Sequence, residues 1–245
     1  MKLAAVFGLL GTLALSAQTL AVEIKLTPER DYLDIRTPHT NTRIERIQDQ
    51  ENLVDEYWAK TSRRCPPFCP QPMYAAEGVT TVGEVEVFDF IERKVNTGKG
   101  LLIDARVAAW YMRGTIPGSI NIPFTEFERM PSDPELGPVM ELIGAKRRTQ
   151  VGFLEGSWDR ARRSMGASVQ RSGFWDFSDS PDLLLWCNGP WCGQSPRAIR
   201  ALIELGFPTE KLYNYRGGMQ MWQMFGLTVE VPSEQSQFSH VISAE

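Results

Sequence analysis

A run of four bulky apolar residues, Leu183-Leu184-Leu185-Trp186, passes without a break into a loop that carries two cysteines and two glycines. A short, wholly apolar run of this kind marks a strand buried on both faces, as the strands of parallel sheets are. The other side of the loop is as informative. Ser195 belongs to the residue class that caps helix N-termini, and Pro196 suits a first helical position. Ile199, Leu202, Ile203 and Leu205 then recur at helical spacing, and Gly206 supplies a C-terminal stop. Strand, loop and helix in that order are the beginning of a parallel crossover unit.

The same alternation extends from Val79 onward. Residues 82–94 are periodic through Val85, Val87, Phe88 and Ile91 and predict a helix ending before Asn96 and Gly98. Leu101-Leu102-Ile103 predicts a buried strand, 108–113 a helical turn or two, and 119–122 a second strand. Two helix candidates broken by Pro131, Pro134 and Gly137-Pro138 occupy 124–148. Residues 151–154 read as a strand, followed by a helix carrying Arg160, Arg162, Arg163 and Arg171, either a solvated face or an anion-steering one. A strand at 212–215 and a helix at 219–225 behind Gly217-Gly218 complete an α/β pattern for residues 77–230, a parallel sheet flanked by helices.

The N-terminal part has a different texture. Lys2 precedes the almost unbroken apolar run 3–17, and Thr19 and Ala21 are small residues placed as at a cleavage site. Residues 1–21 therefore read as a signal peptide, with export to a periplasm expected and no membrane span after cleavage. Residues 22–76 read as a small extension, with short strands at 24–26 and 32–35 and a surface helix over 43–58. It ends in Cys65-Pro66-Pro67-Phe68-Cys69-Pro70-Gln71-Pro72, where the prolines forbid helix and central strand. Residues 231–245 form a polar C-terminal tail. The balance of 26 basic against 30 acidic residues gives no sign of a nucleic-acid partner.

Ligands of open parallel sheets sit beyond the carboxyl ends of strands, so chemistry is expected in the loop after Trp186. Gly189 and Gly193 let backbone N–H groups turn inward as an anion nest, and the following helix adds its N-terminal donors. A cysteine there has a stabilised thiolate and is nucleophilic. Cys187 and Cys192 are the candidates, either free or disulfide-bonded at rest, with Asn188, Gly189, Trp191, Gly193, Gln194 and Ser195 as the surrounding substrate-binding set. Asp104 and Arg106 are expected as a buried polar pair supporting a strand end. Cys65 and Cys69 are a candidate second redox pair or a structural disulfide; C-x3-C with C-x4-C fits a zinc site only loosely, and no metal is assigned. Their segment lies either behind the domain or across the mouth of the site with Phe68 as an apolar plug. His39 and His240 fall in no motif.

Four segments make the chain resemble the rhodanese-like sulfurtransferase family. Leu102-Ile103-Asp104-Ala105-Arg106 is similar to the family's strand ending in Asp-x-Arg, and residues 111–123 to its Tyr-x-x-Gly-His-Ile-Pro-Gly-Ala-x-Asn-Ile-Pro signature. Leu184-Leu185-Trp186-Cys187 with the loop, helix and Gly206-Phe207 resembles its active-site strand, and Gly217-Gly218, Trp222 and Gly226 its closing element. The resemblance implies that Cys187 accepts sulfane sulfur as a persulfide from a small anionic donor such as thiosulfate, a persulfide or a polysulfide. The sulfur then passes to a thiol or protein acceptor, without a cofactor. Thr115 stands where His is usual, Gln194 replaces the customary Arg, and Cys192 is an additional loop cysteine.

The same residues bear on two other classes and on a phosphatase. Trp191-Cys192-Gly193-Gln194-Ser195 resembles the thioredoxin loop, which keeps a thiol–disulfide redox protein using Cys187 and Cys192 as the alternative; the cis-proline and strand pair of that family are missing after the helix. A partner-binding module on the same fold is the other. A cysteine phosphatase needs Cys-x5-Arg, and Gly193 and Ala198 occupy the sixth positions after the two cysteines.

Overall fold

The computed structural model describes residues 23–38, 40–148 and 172–232. The expected signal peptide, the strand at 151–154, the helix bearing Arg160, Arg162, Arg163 and Arg171, His39, His240 and nearly all of the tail lie outside the described residues.

In chain order the elements are β1 (Leu33–Arg36), β2 (Asn41–Ile44), α1 (Glu56–Ala59), β3 (Thr80–Val82), α2 (Glu84–Phe90), β4 (Gly100–Asp104), α3 (Ala108–Tyr111), β5 (Ser119–Asn121), α4 (Phe124–Phe127) and α5 (Leu136–Leu142). They continue with β6 (Lys146–Arg147), β7 (Trp175–Asp176), β8 (Asp182–Trp186), α6 (Gln194–Leu205), β9 (Leu212–Tyr215) and α7 (Gly218–Met224). A π-helical turn, Ile91–Val95, prolongs α2.

Five parallel strands form the sheet, in the order β3-β9-β8-β4-β5. The apolar strand β8 is therefore central, and its side chains alternate between two cores, as the two-residue period of a strand requires. Leu183 and Leu185 join Phe127, Leu136, Met140, Ile199 and Leu202 on one face. Leu184 and Trp186 join Val87, Phe88, Ile91, Met219 and Trp222 on the other. The fold is α/β, a parallel sheet flanked by helices, with a small N-terminal extension.

The extension differs from its sequence reading. Residues 24–26 form no strand, only an isolated bridge between Thr27 and Arg30 following them. The helix expected over 43–58 is replaced by β2, an irregular stretch and the single turn α1. Ile44 pairs opposite Leu33 in an antiparallel hairpin and both side chains are buried, so hairpin closure consumes the residue that would have begun the helix's apolar stripe. Leu26, Leu33, Ile35, Ile44 and Trp58 pack into the same core as Trp186 and Trp222, giving the extension a shared core. Strand β3 at the sheet edge was not foreseen from its three residues. It is too short to show a periodic signal.

Candidate active site

Strand β8 ends where its neighbours end. Trp186 lies opposite Asp104 of β4 and Tyr215 of β9, so Cys187 emerges at the carboxyl edge of the sheet. The loop is fastened from α7: the N–H groups of Met219 and Gln220 donate to the carbonyls of Cys187 and Asn188, both at 3.0 Å. This close approach explains Gly218. Its φ is +56°, and a Cβ there would stand 2.2 Å from the Cys187 carbonyl oxygen and 2.7 Å from the Gly189 nitrogen. On the far side of the loop, Gly193 is the N-cap of α6 and Gln194 its first residue, so the cap falls two residues earlier than the one expected at Ser195. Ser195 is 2% exposed, and its hydroxyl has a different partner from an N-cap's. It donates toward the Cys187 sulfur at 3.2 Å and lies 3.2 Å from Asn214 Oδ1 on β9. The far end of α6 follows expectation, with Gly206 left-handed at φ +98°.

Both loop cysteines are free thiols and both are buried, Cys187 at 3% and Cys192 at 7% exposure. As a neutral thiol, Cys187 donates to the Cys192 carbonyl oxygen at 3.3 Å. Cys192 Sγ lies 3.8 Å from Gln194 Oε1. Burial by itself pushes the Cys187 thiol up. Hydrogen bonds from Cys192, from the Ser195 hydroxyl and from the Ser195 and Gly189 N–H groups outweigh it and bring the group down to about 7. Cys192 is pushed strongly up, first by its bond to Cys187, then by burial and the charge of the Cys187 thiolate. One thiolate thus forms near neutral pH, at Cys187, with Cys192 retained as its S–H donor. That division leaves Cys187 as the thiol able to act as a nucleophile at neutral pH.

The other loop residues serve in different ways. Asn188 and Gln194 present backbone N–H groups to Cys192, and the Cys192 N–H closes the loop on the Gly189 carbonyl at 2.8 Å. Trp191 braces: its indole N–H donates to Gln220 Oε1 at 2.8 Å, and Gln220 Nε2 donates to the Trp58 carbonyl at 2.9 Å. Beneath the loop, Arg106 and Asp104 form an ion pair at 2.6 Å, with side chains 1% and 0% exposed. The Asp104 carboxyl accepts from the Arg106 N–H, Nε and Nη2 and from Thr115 Oγ1. Burial pushes its pKa up, whereas the four donors favour the carboxylate, and the geometry is that of the ionised pair. Arg106 Nη1 reaches Asn188 Oδ1 at 3.3 Å and its guanidinium lies over the Trp186 ring, 4.6 Å from the centroid. The pair thereby connects the end of β4 to the cysteine loop. Among the described residues no group of three or more His, Cys, Asp or Glu side chains is arranged to hold a metal.

The proline-rich segment lies on this loop. Phe68 packs on Trp191 with centroids 4.9 Å apart, and the Gln71 N–H donates to the Pro190 carbonyl at 2.9 Å. Arg216 donates to the Gln71 carbonyl at 2.9 Å and the Pro72 carbonyl at 3.3 Å. Cys65 and Cys69 are a close sulfur pair with Cα atoms 4.7 Å apart. Sequence reasoning missed Asn214, Gln220, Arg216 and Arg63. The one available signal was Asn214, a polar residue inside the short strand Leu212-Tyr213-Asn214-Tyr215; the others act across distances no local pattern reports.

Strand, cysteine loop and helix beneath a parallel sheet define a class, and comparison with known families identifies it. The rhodanese-like domain family matches residues 89–225, more than half of the chain, and the chain belongs to that family. Similar solved structures include a human single-domain sulfurtransferase, 20% identical, covering 60% of this chain and 96% of that one, TM-score 0.34. A protein from Rhodopseudomonas palustris described as a possible tyrosine phosphatase is 16% identical, covering 64% and 88%, TM-score 0.41. An As-Sb reductase from Leishmania major is 16% identical, covering 60% and 79%, TM-score 0.33. Curated proteins yield no match. Among the described residues no helix is long and apolar enough to cross a membrane.

Proposed function

We propose that the protein is an exported, periplasmic sulfurtransferase that carries sulfane sulfur on Cys187. The observation that supports this most is the sulfur of Cys187 at the end of the central strand, receiving the Ser195 hydroxyl and the N–H groups of Gly189 and Ser195. Those donors stabilise a thiolate before attack and an anionic persulfide after it. The Cys187 thiolate attacks the outer sulfur of thiosulfate, the S–S bond breaks with its electron pair going to the sulfonate sulfur, and sulfite leaves. Charge balances, a thiolate and a dianion giving a persulfide anion and a dianion. A thiophilic acceptor then takes the outer sulfur and returns the thiolate.

Cys192 offers a second exit from the persulfide. Its sulfur is hydrogen-bonded to Cys187, so it can attack the inner sulfur of the persulfide anion while its proton passes to the departing outer sulfur: a Cys187–Cys192 disulfide forms, the persulfide S–S bond breaks and hydrosulfide leaves. Two electrons and two protons from a dithiol reductant then restore both thiols. This proximity favours, as second reading, a thiol–disulfide redox protein built on the same pair. Intact mass after incubating reduced protein with thiosulfate, polysulfide or a small persulfide separates the two. A sulfur adduct mapping to Cys187 supports transfer; disulfide formation with no adduct from any donor supports the redox reading and ends the first.

A further inference from the structure

The proline-rich segment packs on the loop that carries the one reactive thiol of the molecule, and its side chains suit a particular size and charge of visitor. Cys187 is only 3% exposed, although the loop that carries it is at the surface edge of the sheet. Phe68 sits on Trp191, and the Gln71 side chain lies against Gly193, its atoms 3.7–3.8 Å from where a Cβ on that glycine would stand. Gln71 Nε2 also donates to the Cys69 carbonyl at 3.0 Å, so the cover and the second cysteine pair are one hydrogen-bonded unit. Cations border it. The Arg63 guanidinium lies over the rings of Tyr57, Phe68 and Trp191, at 4.2, 5.0 and 4.9 Å. Its Nε and Nη1 are buried with no hydrogen-bond partner among the described residues. Arg216 holds the other end through two backbone carbonyls.

The geometry points to residues 63–72 as a specificity-determining cover, with Phe68 as the filter. It admits small inorganic sulfane-sulfur anions to Cys187 and excludes bulky persulfide carriers. This rests on Cys187 being the reactive thiol. Attack needs an in-line approach to about 3–3.5 Å, which a narrow anion achieves beside the Phe68–Trp191 pair and a peptide-sized donor does not while the rings are stacked. Arg63 donates from Nη2 to the Tyr57 carbonyl, and its charge, with Nε and Nη1 left without a partner among the described residues, favours the anion over a neutral molecule of equal size. Pairing Cys65 with Cys69 shortens the loop that carries Phe68 and holds the ring in place.

Thiol alkylation, mapped to Cys187 by peptide mass, tests the cover without requiring sulfur transfer. Iodoacetamide is the small probe and fluorescein maleimide the bulky one. In the native protein, folding should slow the bulky probe about tenfold or more beyond its effect on the small one, each referred to the urea-unfolded chain. Phe68→Ala should remove most of that difference, and Cys65→Ser/Cys69→Ser should reduce it, with far-UV circular dichroism unchanged. Equal slowing of the two probes in the wild-type protein overturns the proposal, whatever the variants do. So does a Phe68→Ala protein, folded by its spectrum, that keeps the full difference. Loading by thiosulfate against glutathione persulfide should follow the same pattern. Failure of both donors with intact probe selectivity would count against the sulfurtransferase reading and leave the cover standing.

Discussion

Replacing Ser195 by Ala removes one hydroxyl, and its consequence can be worked from the site. The hydroxyl donates to Cys187 at 3.2 Å inside a buried loop, and a hydrogen bond to a charged group is worth about 1.5–3 kcal/mol. Losing it raises the Cys187 pKa by about 1–2 units from its starting point, at about 1.4 kcal/mol per unit. With the native group at about 7, the thiolate fraction at pH 7 falls from about one half to about one tenth or one hundredth. A more basic thiolate is intrinsically more nucleophilic, with a Brønsted slope of about 0.4–0.5, which returns about threefold of rate per unit. The net loss at pH 7 is therefore only about two- to sixfold, and well above the new midpoint the variant is at least as fast as the native protein. The sign follows from the thiolate being the reactant: rate rises with pH and levels off above the folded pKa. The assay is the pH profile of iodoacetamide reaction at Cys187. A midpoint near pH 7 that moves up in Ser195→Ala carries the reasoning; a midpoint that stays within about 0.3 units of the native one refutes it.

Cys187→Ser should abolish the sulfur adduct, whereas Cys192→Ser should preserve or prolong it, as intact mass against time will show; loss of the adduct in Cys192→Ser alone would move the nucleophile to Cys192. Arg106→Met strands the buried Asp104 charge and should cost about 3–5 kcal/mol in equilibrium urea unfolding. A loss below about 1 kcal/mol would mean that Asp104 is neutral in the folded protein. Gly218→Ala adds a Cβ 2.2 Å from the Cys187 carbonyl oxygen in a left-handed backbone, so the loop must shift; adduct formation should fall about tenfold or more while the helical spectrum persists. Unchanged adduct kinetics in that variant would show that the α7 contact does not position the loop.

Much of this protein was readable along the chain, for a physical reason that particular residues show. Strand β8, helix α6 and the turn at Gly206 each depend on neighbours a few residues away, through strand alternation, helical spacing and the left-handed C-terminal glycine. The cysteine loop follows because strand and helix fix its two ends. Tertiary structure decided the rest. Ile44 pairs with Leu33 where a helix was expected, because a partner strand offered more burial than an isolated helical stripe. Ser195 serves Cys187 and lies beside Asn214 of a later strand, a use its capping propensity conceals. Phe68 and Gln71 meet the loop more than a hundred residues further on, held there by the contact of the extension with α7 through Trp58 and Gln220 and by Arg216 on the Gln71 and Pro72 carbonyls. Local propensity is set by the chain's own stiffness and hydrogen bonding. Which thiol ionises, and what reaches it, is set by the dielectric and the donors that distant segments assemble around it.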